Sequence, residues 1–228
     1  MSITLTLSGK KSVLHSYYYP PIDLGNDRWE LGLVNFQTFN SIPNIDESNN
    51  TLHYGKGKSV KIPTGSYQIS DISKFFKEKL EEVGIVLSIN PNNNTLQTII
   101  KCTERIDFTK PDSIGPLLGF KPRILEAVKV HNSDLPVQIL KINNILVECN
   151  ITSGAYNNGR SVHTIHSFFP RAPPGYKILE VPSNVIYLPV RSGRNIDDIV
   201  LKIVDQDGQL VNFRQETITI TLHLRRAP

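Results

Sequence analysis

Residues Thr217 to Leu224 alternate without a break: Ile218, Ile220, Leu222 and Leu224 are aliphatic, and Thr217, Thr219, Thr221 and His223 between them are polar. Successive side chains of a strand point to opposite faces, so this period of two predicts a strand with one face buried and one wet. The β-branched threonines favour the same conformation. Upstream, Ile199, Leu201 and Ile203 alternate with Val200, Lys202 and Val204, and the cluster Asp205-Gln206-Asp207-Gly208 supplies turn chemistry, with Gly208 free to take positive φ. The spacing predicts two strands and a tight connection between them. Asn184 to Val190 reads as a further strand, which Pro189 marks as an edge or a strand end because it lacks an amide hydrogen.

The same rhythm recurs along the chain. Met1 to Leu7 alternates, Trp29, Leu31 and Leu33 share a face opposite Glu30, and Asn143 to Thr152 sets Ile145, Val147, Cys149 and Ile151 against Leu146, Glu148 and Asn150. Lys58 to Ile62 and Arg160 to Phe169 read as strands stopped by Pro63 and Pro170. Ser16 to Pro21 and Asn40 to Asn50 read as loops, and Ala172 to Tyr176 as a turn. One helix is expected, capped by Ser70 or Asp71 and ended by Gly84. Ile69, Ile72, Phe76 and Val83 form its apolar stripe, Phe75 and Leu80 flank that stripe, and a charged face from Lys74 to Glu82 looks to solvent. A hairpin follows, with Ile85 to Ile89 and Thr95 to Cys102 around Asn90-Pro91-Asn92-Asn93-Asn94. Asp112 to Phe120 suggests one helical turn laid on a sheet.

With about eight to ten strands and no β-α-β alternation, the chain is expected to be all-β, an antiparallel sandwich or barrel. It reads as one domain, residues 1–228, with a helix and hairpin insertion at 66–102. A chain of 228 residues can bury roughly 70% of its unfolded surface without metal or disulfide staples. Its 14 Gly and 15 Pro suit short strands joined by turns.

Chemistry is sparse. Cys102 and Cys149 sit in apolar runs and read as reduced core thiols. Of the six histidines only His163 and His166 are close, and on a strand residues three apart face opposite ways, which disfavours a shared metal. No phosphate loop, nucleophile elbow or His-Glu-x-x-His helix occurs, and no cofactor is implied. Asp197-Asp198 and Asp205 to Gly208 look like calcium loops, but the latter lacks the downstream spacing of an EF-hand, since Glu216 falls too early, and a turn is expected. The net charge of +4 is modest, and Lys56-Gly57-Lys58 and Arg225-Arg226 are too short for a nucleic-acid arm. No apolar run approaches the roughly 18 residues of a membrane span, and the start of the chain lacks the pattern of a signal peptide, so cytosolic synthesis is expected. Tyr17, Tyr18 and Tyr19 form either a contact patch, since aromatics are enriched at interfaces, or loop residues packed on the sheet. A long β chain with no catalytic constellation reads as a structural or interaction protein, not an enzyme.

Several strings in the second half carry a resemblance. Leu117-Leu118-Gly119-Phe120, Phe168-Phe169-Pro170, Pro173-Pro174-Gly175-Tyr176-Lys177-Ile178, the run from Pro182 to Val190, and Asp205 to Gly208 through Phe213-Arg214 to Leu224 resemble the minor capsid, or penton, proteins of Polinton (Maverick) elements and related adenovirus-like viruses of animals. The resemblance spans roughly Ser113 to Arg226. Gln215 departs from it, standing where such sequences lead one to expect glycine, and the N-terminal half has no match.

What the resemblance implies is a single jelly-roll β-sandwich of about eight strands in two facing sheets. Five copies would ring a capsid vertex as a homopentamer beside the major capsid protein. Its place would be the virion, after synthesis in the host cytoplasm, with the nucleus as a further site of assembly. The source would be an integrated element or a domesticated gene. Loops at one end, Tyr17 to Tyr19 or Asn40 to Asn50, would supply contacts. The alternative is a jelly-roll binding module, lectin-like or TNF-like, since one fold serves many functions. A cupin-like enzyme is a third reading that would require a metal.

Overall fold

In the computed structural model, which describes residues 2–139, 141–191 and 193–228, Ile218, Ile220, Leu222 and Leu224 are fully buried and the polar residues between them lie partly open. Burial of each such side chain contributes about 1.5–3 kcal/mol, which fixes which face of the strand turns inward. Met1, the first residue of the N-terminal alternating run, lies outside the described residues.

The chain divides into two compact units. One comprises the ends of the chain, up to Ile42 and from Ile142 onward, and the other is Pro43–Lys141. The first unit is built on eight strands: β1 (Ser2–Gly9), β2 (Val13–Asp23), β3 (Trp29–Phe39), β4 (Ile145–Cys149), β5 (Thr164–Phe168), β6 (Lys177–Glu180), β7 (Asn195–Asp205) and β8 (Ile218–Arg226). One sheet has the order β1-β8-β3-β6, and the other β5-β4-β7-β2, with every neighbour antiparallel. Leu31, Phe36 and Leu222 from the first sheet and Val147, Leu201 and Phe168 from the second belong to one core. The rings of Phe36 and Phe168 meet with centroids 5.0 Å apart. Eight antiparallel strands wound through two facing sheets in this order make a jelly roll.

This order corrects one expectation. β7 and β8 are not a tight pair: they lie in opposite sheets, and residues 206–217 cross the sandwich between them. Gly208, at φ +78°, does make the turn, but the chain then folds back on β7 through a bridge from Val204 to Leu210. The expected loop at Ser16–Pro21 is also strand, the middle of β2. Pro20 and Pro21 do not end it, because both fall in the stretch of this edge strand that has no partner residue on β7.

From Pro182 to Val190 only Leu188–Pro189 pairs with β3, opposite Leu31 and Glu30. The segment before it covers the outer face of that sheet, and Gly32 makes the room: a Cβ there would lie 2.4 Å from Val185 Cγ1. Arg160 to Phe169 is two pieces rather than one. Arg160–Val162 turns back on Ala155–Asn157, and β5 begins at Thr164.

Pro43–Lys141 has its own core, from Ile45, Leu52 and Ile62 through Phe76 and Ile100 to Phe120 and Leu125. One small sheet runs Lys58–Lys61, Thr51–Tyr54, Ile106–Asp107, Ile124–Leu125. A second runs Val130–Asn132, Gln97–Cys102, Leu87–Asn92. Helix α1 (Ile69–Glu81) buries Ile72, Phe76 and Leu80. Its cap is Gln68 rather than Ser70 or Asp71: Asp71 sits in the first turn and accepts the Gln68 backbone N–H at 2.9 Å. Val83 lies beyond the helix and is exposed, so the stripe closes on Leu80. The helix and hairpin expected at 66–102 are therefore present, inside a larger unit that begins at 43 and ends at 141. Asp112 to Phe120 is a series of turns in which the Leu118 N–H bonds to Ile114 O, with Gly119 at φ +83°.

Candidate interface

Strand β2 is an edge of its sheet and the site of the three tyrosines. It pairs with β7 in register from Val13 opposite Lys202 to Tyr17 opposite Asp198, and again at Ile22 opposite Ile196. Between those pairs β2 has four residues and β7 has one, so Tyr18 to Pro21 bulge from the edge. Alternation along β2 separates the tyrosines, with Tyr18 on the inward face of Leu14 and Ser16. Tyr17 is 78% exposed and Tyr19 wholly so, whereas Tyr18 packs against the sandwich core. Burial raises the Tyr18 phenol pKa, and the nearby Cys149 adds to the rise.

The Tyr17 ring lies 4.1 Å from that of His15, whose Nε2 is 2.9 Å from Asp198 Oδ2. The edge thus combines two exposed aromatic rings with a carboxylate held by a histidine.

In Asn40 to Asn50, the other expected contact loop, Asn40, Asn44, Asp46 and Asn49 have partners within the chain, while Glu47 is exposed. Asn40 donates to Ala172 O, and Asn44 donates to Tyr67 O while accepting the Tyr67 N–H. Asn49 donates to Asn44 O. Asp46 accepts from Lys141 at 2.8 Å. Although burial pushes the other way, hydrogen bonds from Lys141 and Ser48 hold the Asp46 carboxyl at about 2.

His163 and His166 have separate partners: His163 Nδ1 lies 2.8 Å from Thr152 O, and His166 Nε2 lies 2.9 Å from Glu180 Oε1. Among the described residues no three His, Cys, Asp or Glu side chains converge as metal ligands. Cys149 and Cys102 are buried free thiols, the first pushed up to about 12 by its burial and the second raised for the same reason. The Arg225-Arg226 pair is engaged within the sandwich. Arg225 lies 3.5 Å over the Tyr187 ring and pairs with Glu30, and Arg226 pairs with Asp27 at 2.8 Å. Among the described residues no helix is long and apolar enough to cross a membrane.

Sequence reasoning missed a second surface. On β6, Ile178 is buried while Leu179 on the opposite face is 61% exposed. The signal was there: an outward strand position that should be polar is leucine.

No family model matches the chain, and no curated protein matches it. Among solved structures, the crystal structure of the mavirus penton protein aligns over 100% of both chains with a TM-score of 0.53 and 13% sequence identity. At that identity the likeness speaks to the fold, and it agrees with the jelly-roll strand order. An alignment to the D2-D3 domains of the flagellar cap protein FliD from Escherichia coli has a TM-score of 0.14, and nothing follows from it.

Proposed function

We propose that the chain is a minor capsid, or penton, subunit that forms homopentamers at the fivefold vertices of an icosahedral capsid. In this reading it contacts the major capsid protein, resides in the virion after synthesis in the host cytoplasm, and derives from a Polinton-like element. The observation that carries the reading is the strand order β1-β8-β3-β6 over β5-β4-β7-β2, in a chain that aligns end to end with the mavirus penton protein. A vertex subunit needs cyclic contacts with its own copies and a second contact surface; it needs no active site. Tyr17 and Tyr19 are the proposed contact residues, since each presents a large ring to solvent.

Native mass spectrometry of the full chain, with negative-stain images, tests the reading. A five-membered ring is expected, and a strictly monomeric species at high concentration would overturn it.

A further inference from the structure

The strand order fixes where the sandwich can meet its copies. β1 and β2 are the edges on one side, joined by the short turn after Gly9, and β5 and β6 are the edges on the other, linked by the His166–Glu180 bond. Each side carries exposed apolar groups, and the charges nearest those groups differ.

The β2 side presents Tyr17 and Tyr19, with Asp197 beside their bulge and Asp23 further along; Asp198 is engaged by His15 at 2.9 Å, and the exposed Lys10, Lys11 and Arg194 stand at the two ends. The β6 side presents a cleft of about 610 Å³ in which Phe169, Leu179 and Val181 stand 45%, 61% and 60% exposed beside Arg171 and Lys177. Glu180 also lines that cleft, but its carboxylate is engaged by His166 at 2.9 Å. An open apolar cleft with the exposed cations Arg171 and Lys177 on one side thus faces away from a bulged aromatic edge beside the exposed Asp197 on the other.

We propose that copies dock head to tail, the tyrosine edge of β2 seating in the β6 cleft of the next copy. The inference rests on the self-assembly reading above and adds which surfaces meet. Two unlike patches on opposite sides make a heterologous contact, and such a contact closes a ring when its rotation divides the circle. Apolar burial supplies the attraction, and the opposite charges fix the direction and disfavour pairing like edge with like.

Two variants test it by native mass spectrometry, with circular dichroism confirming that each is folded. Leu179→Glu blocks the cleft, and the double variant Tyr17→Ala/Tyr19→Ala blocks the edge. Each alone is expected to be monomeric. Mixed, they are expected to form a dimer containing one of each and nothing larger, because the two remaining faces are both blocked. A homodimer of either variant, or no mixed dimer, overturns head-to-tail docking.

Charge reversal gives a second readout. Lys177→Glu is expected to raise the concentration for half-assembly at least about tenfold, and adding Asp197→Lys in the same chain is expected to restore it. Failure of that restoration counts against the pairing. If the parent chain forms rings that both blocking variants leave intact, this inference falls while the assembly reading stands. A parent chain that stays monomeric overturns both.

Discussion

The sandwich and the unit at Pro43–Lys141 bury their cores by different means. In the sandwich, β2, β3 and β7 each run 11 residues, β8 runs nine, and the inward positions alternate along them. In Pro43–Lys141 the longest strands have six residues. There much of the apolar surface comes from a helix and from irregular segments, as where Phe108 and Phe120 meet with ring centroids 5.1 Å apart. A long strand states its burial in a repeating pattern, and a core assembled from turns does not. The difference predicts two separately held hydrophobic cores, each containing one buried thiol, Cys149 in the sandwich and Cys102 in the other unit.

Truncating a central ring in each core is the most severe way to break that comparison. Phe36 is fully buried between Phe168 and Phe213, and Phe76 is fully buried among the residues that α1 covers. Phe36→Ala and Phe76→Ala should each cost roughly 3–5 kcal/mol, the transfer term plus a cavity. The two thiols report which core has opened, because in the folded chain burial raises both pKa values and keeps thiolate scarce. Labelling with a thiol reagent in mild urea, read by mass, should show Cys149 reacting first in Phe36→Ala and Cys102 first in Phe76→Ala. If both thiols react together in either variant, the two cores open as one and the comparison collapses.

The same contrast explains what the sequence made legible. The sandwich core could be named from alternation alone: Ile145, Val147 and Cys149, Ile199, Leu201 and Ile203, and Ile218, Ile220, Leu222 and Leu224 are all buried where the period of two puts them. What alternation cannot carry is partnership. It marked β7 and β8 as strands but did not show that they belong to opposite sheets. The helix and hairpin were legible for the same local reason, whereas the boundaries at 43 and 141 were not. Ile114, Leu117, Leu118 and Phe120 are buried core residues lying in turns, and turns have no period to read.

At the candidate interface, three adjacent tyrosines were visible, and once Ser16–Pro21 is strand rather than loop the period of two sends Tyr17 and Tyr19 out and Tyr18 in. What the sequence of β2 does not contain is the bulge from Tyr18 to Pro21, which depends on the partner strand. The β6 cleft escaped because Lys177 to Glu180 was not read as a strand, so Leu179 was assigned no outward face.

Acid offers a gentler way to separate the units. Asp46 has its carboxyl lowered from 3.8 to about 2 on folding, and its partner Lys141 belongs to the same unit. A group whose folded pKa is depressed adds stability above its unfolded value, and that stability is lost as pH falls through the folded value. Pro43–Lys141 should therefore weaken as pH drops from about 4 toward about 2, by on the order of 1 kcal/mol once solvent screening of a partly exposed pair is allowed for. Asp46→Asn should flatten that part of the pH profile, read by protection of the Cys102 region in hydrogen exchange, and leave the sandwich unchanged. An identical pH slope in the variant would assign the acid sensitivity elsewhere.

The smallest expected effect lies in the sandwich, just before β8. Arg214 and Gln215 have φ of +50° and +68°, and Gln215 is exposed. A side chain there meets the following carbonyl, at a cost of roughly 1–2 kcal/mol that glycine avoids, while glycine gives back roughly 0.5–1 kcal/mol in unfolded-chain entropy. The glycine that the penton resemblance leads one to expect at this position thus has a physical reason, and Gln215 bears the strain in its place. Gln215→Gly should raise the stability of the sandwich by a few tenths of a kcal/mol up to about 1 kcal/mol. In the urea titration that follows Cys149, the midpoint should move up, and the Cys102 midpoint should stay where it was. A lower Cys149 midpoint would mean that the Gln215 side chain contributes more than its backbone costs. A matching rise at Cys102 would mean that the two cores share one stability after all.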